Sequence, residues 1–201
     1  MKPPGEKALT VTELLVALAV IGILAFAVFI FFLPQLVVPS LTKGQMTQTL
    51  SNMKQLHLAT QQMALDGIAE GNTNLGWPGD TGGSFSNWAR LLVQSNYLSM
   101  RDLNKLLSAP GIVVPPEKIL IANTTAVRVY AAKEKDPGEV VFLTSANFTN
   151  TPDGGLPPLT NAKPYGNKGF VVFRKAGDGA ILQARQAGNT NLIGNFVPLC
   201  Q

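Results

Sequence analysis

The 201-residue chain carries a single histidine and a single cysteine, which excludes an intrachain disulfide and leaves a conventional zinc site or a Cys–His nucleophile pair without enough partners. Its 16 basic residues outnumber 12 acidic ones, for a formal net charge of +4, but they form no run or stripe, so nucleic-acid binding is not expected. Only 14% of residues are charged, beside 19 glycines and 14 prolines, a composition that suits a loop-rich extracytoplasmic domain better than a charged cytosolic one.

The first element in chain order is an uninterrupted apolar run over residues 14–33, "LLVALAVIGILAFAVFIFFL". As a helix it would measure about 30 Å, the hydrocarbon thickness of a bilayer. Lys2 and Lys7 precede it and Lys43 is the first basic residue after it, which favours a cytoplasmic N-terminus. A secretory signal has a shorter apolar core, about 7–15 residues, and a small-residue cleavage site, and neither is found here. Glu13 stands directly against the run. A carboxylate costs roughly 2–3 kcal/mol or more at a bilayer centre, so its place needs a reason. An ordinary anchor would leave Glu13 at the headgroup boundary, reaching for water.

The residues "EKALTVTELLVALAVIGILA" resemble the N-terminus of type IV pilin and type II secretion pseudopilin precursors. That family has a short basic leader, a cleavage site usually after Gly, an aromatic residue, Thr, two apolar residues, Glu and a long apolar helix. Here Lys7 matches the basic leader residue, and Ala8 stands where the last leader residue is usually Gly. Leu9 takes the first mature position, usually Phe or Met, Thr10 the second and Glu13 the fifth. Thr12 occupies a normally apolar position, and Pro34 and Pro39 fall later than the family's common early proline.

The resemblance implies a membrane-inserted precursor, cut by a prepilin peptidase between Ala8 and Leu9 and N-methylated on Leu9. It gives Glu13 a partner, the N-terminal amine of a neighbouring subunit, whose pairing offsets part of the desolvation of both charges and sets the axial register. Thr10 would assist helix–helix contacts through its hydroxyl. The implied partners are copies of this chain, other pilin-like subunits, the peptidase, the inner membrane and the assembly machinery. The head would be periplasmic or otherwise extracytoplasmic. Relatives of the major type often bind calcium through loop carboxylates. Asp153 and Asp178 are the nearest candidates, each nearly alone, whereas calcium takes about six to eight oxygens. No cofactor is therefore expected.

Further along, Pro34 is expected to kink the helix and Pro39 to do the same or mark the membrane exit, with Ser40 or Thr42 capping a restart. Residues 43–66 then read as an amphipathic helix, with Met46, Leu50, Met53, His57, Thr60 and Ala64 on one side and Leu56 and Met63 beside them. Asp66-Gly67 supplies the stop. "SNMKQLHLATQQMALDG" also resembles a segment of pseudopilin-like proteins of planctomycete and verrucomicrobial type. His57 and the methionines read as core. A glycine-rich loop over 67–85 leads to a short helix at 86–94 capped by Ser86. Ser99 to Asp102 then have capping-box spacing before a helix that Pro110-Gly111 ends. Trp77 and Trp88 are expected to pack, the alternative being a sugar- or peptide-binding surface.

The second half turns to strand pattern at 126–132, 139–146, 169–176 and 180–185. Turns at Asp136-Pro137-Gly138 and Gly177-Asp178-Gly179 make two hairpins, separated by an Asn-, Pro- and Gly-rich segment at 147–168. The expected fold is α+β, pilin-like, with a long N-terminal helix packed on a small antiparallel sheet that buries one face. The expected divisions are 1–8 leader, 9–38 transmembrane and polymerisation helix, 39–66 amphipathic half and 67–201 head. Asn123 and Asn147 begin glycosylation tripeptides of little weight. Without a nucleophile–base pair, phosphate loop or metal cluster, catalysis is not expected. The function expected is a pilus or pseudopilus subunit, and the alternative is a single-pass anchored binding domain that does not polymerise.

Overall fold

A computed structural model describes residues 11–115, 118, 120–121, 124–148 and 162–200, and for residues 29–40 the backbone only. The chain is α+β and divides into two compact units, Met1–Leu41 and Thr42–Gln201.

Helix α1 runs from Val11 to Glu70. The restart expected at Ser40 or Thr42 does not occur, because helical backbone runs unbroken through Pro34, Pro39, Ser40 and Thr42. Each proline removes one donor from the ladder, and the turns on either side keep theirs. The stop also lies further on than Gly67. Gly71, at φ +65°, ends the helix, while Gly67 stays helical and lets the returning loop approach. A Cβ at Gly67 would strike the Leu75 carbonyl oxygen.

In the second unit, one side of α1 buries Met46, Met53, Leu56, His57, Thr60, Met63 and Ala64, the face that the 3.6-residue period marks. Thr49 and Asn52 are buried with them, polar positions that a purely apolar pattern passes over. Helix α2, Phe85–Gln94, begins one residue earlier than expected, with Ser84 rather than Ser86 at the cap. The shift puts Phe85 into the core with Trp88, Ala89 and Leu92. Helix α3, Met100–Leu107, starts as its spacing predicts: Ser99 Oγ accepts the Asp102 N–H at 3.1 Å and its hydroxyl donates to Asp102 Oδ2 at 2.6 Å. Pro110-Gly111 then sits in a tight turn closed by paired backbone bonds between Ala109 and Ile112.

Strands β1 (Val127–Val129), β2 (Val141–Ser145), β3 (Phe170–Arg174) and β4 (Gly179–Leu182) form one sheet in that order, antiparallel throughout. All four lie inside the expected segments except that β4 starts a residue sooner. The register of β2 shifts between Val141 and Leu143, so Phe142 and Leu143 both enter the core shared with α1, α2 and α3.

The expectation of a single buried face is corrected. Tyr130, Val141, Phe148, Phe170, Val172 and Leu182 form a second buried cluster with Ile193, which ends the short helix α4, Thr190–Ile193. The C-terminal segment covers this face and is stitched to the sheet. The Val141 N–H donates to the Asn195 carbonyl, Ala131 to Pro198 and Cys200 to Val129, at 2.8, 2.8 and 2.9 Å. Consecutive apolar residues in β2 and β3, rather than alternation, are the reason that both faces need cover. Cys200 is buried in the first cluster, shared with α1, α2 and α3, and burial pushes its thiol up to about 12.

Candidate functional site

Residues Val11–Val28 of α1 have a mean hydropathy of 2.6, and none of this stretch is buried within the chain. Among the described residues it is the one helix long and apolar enough to cross a membrane. Ile21, Leu24 and Phe26 are 62, 61 and 66% exposed. Covering one such side chain is worth about 1.5–3 kcal/mol, so a stretch of this kind needs a membrane or other helices around it.

Glu13 lies in the first turn of α1 and is exposed. Helical spacing places Val16, Ala17, Val20 and Leu24 on the same side, so the carboxylate heads an otherwise apolar stripe. The other residues implied in processing and assembly, Ala8, Leu9 and Thr10, lie outside the described residues, as does Asp153. Asp178 sits in the β3–β4 turn, where its carboxylate pairs with Arg174 at 3.1 Å. Among the described residues no group of three or more His, Cys, Asp and Glu side chains could hold a metal ion.

The two tryptophans are core residues, both nearly fully buried. The Trp88 indole N–H donates to Thr60 Oγ1 at 3.2 Å, and that of Trp77 to Glu134 Oε2 at 2.6 Å. Asn147 is also buried, and its amide donates to the carbonyls of Gly166 and Gly169 at 3.0 and 2.8 Å, so this tripeptide asparagine is a structural tie. Thr49 hydrogen-bonds the Tyr165 hydroxyl, fastening the segment after residue 162 to α1. Nothing short of the tertiary fold announces that pair, since the two residues stand far apart in a region of weak pattern.

His57 is a buried polar group of the core. It is 4% exposed and its ring lies between Trp77, Phe173 and Phe142, with centroids at 5.5, 5.3 and 6.2 Å. Its Nε2 is 2.8 Å from the Lys175 carbonyl oxygen. A carbonyl only accepts, so Nε2 carries the proton. Burial holds the imidazole below its ordinary value of 6.5, against a smaller upward pull from that bond. Comparisons with protein-family models, curated proteins and solved structures found no match.

Proposed function

We propose that the chain is a structural subunit of a type IV pilus or type II secretion pseudopilus. Its apolar helix is first a membrane anchor and then the polymerisation surface. The observation that carries this reading is the bare apolar stretch of α1 with a carboxylate at its head. An anchor alone accounts for the apolar residues. The carboxylate five residues after the Ala8–Leu9 bond is accounted for by an amine that cleavage there creates.

The precursor inserts with Lys2 and Lys7 in the cytoplasm and the domain beyond Thr42 outside. A prepilin peptidase cuts after Ala8, and Leu9 is methylated, which keeps its positive charge. Subunits then leave the membrane and pair that charge with Glu13 of a neighbour inside a helix bundle, where the low dielectric strengthens the attraction. Contacts of this kind are heterologous and propagate rather than close.

Mass spectrometry of the mature N-terminus tests the processing step and is expected to find methylated Leu9. Glu13→Ala is expected to abolish filaments or secretion while the protein still fractionates with membranes. A chain that begins at Met1, together with a Glu13→Ala variant that assembles normally, would leave the anchored, non-polymerising binding domain. That second reading draws on Ala8, which replaces the usual glycine at the cut.

A further inference from the structure

The β3–β4 turn is held onto α1 by one side chain that can change charge. Lys175, Ala176 and Gly177 lead this turn, and the Lys175 carbonyl receives the His57 Nε2–H. Gly177, at φ +89°, comes so near that a Cβ there would lie 3.2 Å from His57 Cε1. The same turn is tied to the β1–β2 connection. The Lys175 and Ala176 N–H groups donate to Val140 and Gly138, both at 2.9 Å, and the Lys175 ammonium donates to the carbonyls of Glu134 and Asp136. That ammonium also lies 5.4 Å over the Trp77 ring. One imidazole therefore sits where α1, the Trp77 loop and both hairpins converge.

We propose that His57 is a proton-operated latch: uncharged it fastens the β3–β4 turn to α1, and charged it lets the turn go. In the neutral ring Nδ1 bears no proton. Adding a proton there creates a second donor and a full charge in surroundings made by Trp77, Phe142 and Phe173, and desolvation penalises both. The charged groups on the elements packed around it do not offset this. Lys54 lies one turn earlier on α1 and is exposed, and the Lys175 ammonium is itself positive. Arg174 and Asp178 pair with each other, and Glu134 takes the Trp77 indole N–H. Asp136 Oδ2 accepts the Lys133 N–H. The turn is the part that can yield, because it is a short connection at the edge of the sheet, whereas the ring is carried on a helix.

The sign follows from which state holds more protons. The unfastened imidazole titrates at its ordinary value of 6.5 and the fastened one lower, so the released state binds more protons between the two. The latch is engaged well above pH 6.5 and weakens as pH falls through that value, by no more than about tenfold per pH unit.

Amide hydrogen exchange of the full chain in detergent micelles, expressed as protection factors, reads this directly. Segments 174–180 and 134–140 are expected to lose protection between pH 7.5 and 5, while 103–107 in α3 keep theirs. His57→Gln is expected to hold 174–180 protected across that range, since a glutamine amide donates to a carbonyl without titrating. His57→Leu is expected to leave the turn unprotected at every pH. Wild-type protection at 174–180 that does not change with pH would overturn the proposal, whether or not the variants fold. So would a His57→Gln chain, folded by circular dichroism, that loses protection as the wild type does.

Discussion

Two stretches of the same helix treat their apolar residues in opposite ways. Between Val11 and Val28 nearly every side chain is exposed, although the stretch is almost wholly apolar. Between Met46 and Ala64 most of the apolar residues gather on one side, where Met46, Met53, Leu56, Met63 and Ala64 are buried to a few per cent, while Leu58 faces outward. The first stretch has no preferred face and therefore no inner surface for a single domain to cover. The second has a face and a domain that fits it. Periodicity separates a helix that completes its own chain from one that must be completed from outside.

The comparison breaks most sharply at the level of single side chains. Trp88→Ala removes a fully buried indole and its bond to Thr60, and is expected to cost the domain about 3–5 kcal/mol. Ile21→Ala removes a large apolar side chain from the bare stretch and is expected to change the stability of that domain by less than about 0.5 kcal/mol. Denaturant unfolding of the two variants in detergent, followed by circular dichroism, measures both. Equal losses would mean that the apolar stretch is packed by its own chain after all.

A smaller effect is expected at Gly177. Alanine there must adopt φ +89° and place its Cβ near the His57 ring, a left-handed conformation that costs an L-residue about 1–2 kcal/mol. Gly22, on the bare stretch, has nothing within 4 Å of an added Cβ, so Gly22→Ala is expected to leave the domain unchanged. The same pair of unfolding curves decides the point, with Gly177→Ala shifted and Gly22→Ala superimposed on the wild type.

Local chemistry made most of these elements legible. The buried face of α1 follows from Met46, Met53, His57, Thr60 and Ala64 at helical spacing, and the two hairpins from Pro-Gly and Gly-Asp-Gly between strand-like runs. Two of the misreadings, at Gly67 and Ser86, share a physical cause, a role set by packing against the rest of the domain. Gly67 looks like a stop until Leu75 returns against it. Ser40 and Thr42 look like caps for a restart after the prolines, yet each proline removes a single bond from a long ladder and the helix continues. Ser86 looks like a cap, but Phe85 needs the core and draws the start of α2 back to Ser84. The cover over the second face of the sheet was missed because residues 184–200 lack the regular pattern of a strand or a long helix. The apolar runs in β2 and β3 already required something there. Of the residues implied in assembly, Glu13 alone falls among those described, and its role is legible only through the resemblance at the N-terminus.

The smallest effect separates exposure from importance. Ser99 is an exposed, small, polar residue, and Leu24 is an exposed, large, apolar one. Counting apolar area alone would make Leu24 the more costly to lose. Ser99, however, satisfies the Asp102 N–H at the start of α3, an orphan donor that alanine cannot serve. Ser99→Ala is expected to destabilise the domain by about 1 kcal/mol. Leu24→Ala is expected to have no measurable effect on domain unfolding and to weaken only retention in the membrane. Glycine at position 99 separates the hydroxyl from the backbone, because glycine caps cost only a few tenths of a kcal/mol relative to serine. Recovery of most of the loss in Ser99→Gly, read from the same denaturant midpoint, is therefore expected if the start of α3 is what the hydroxyl secures. No recovery would place its value in the bond to the Asp102 carboxylate instead.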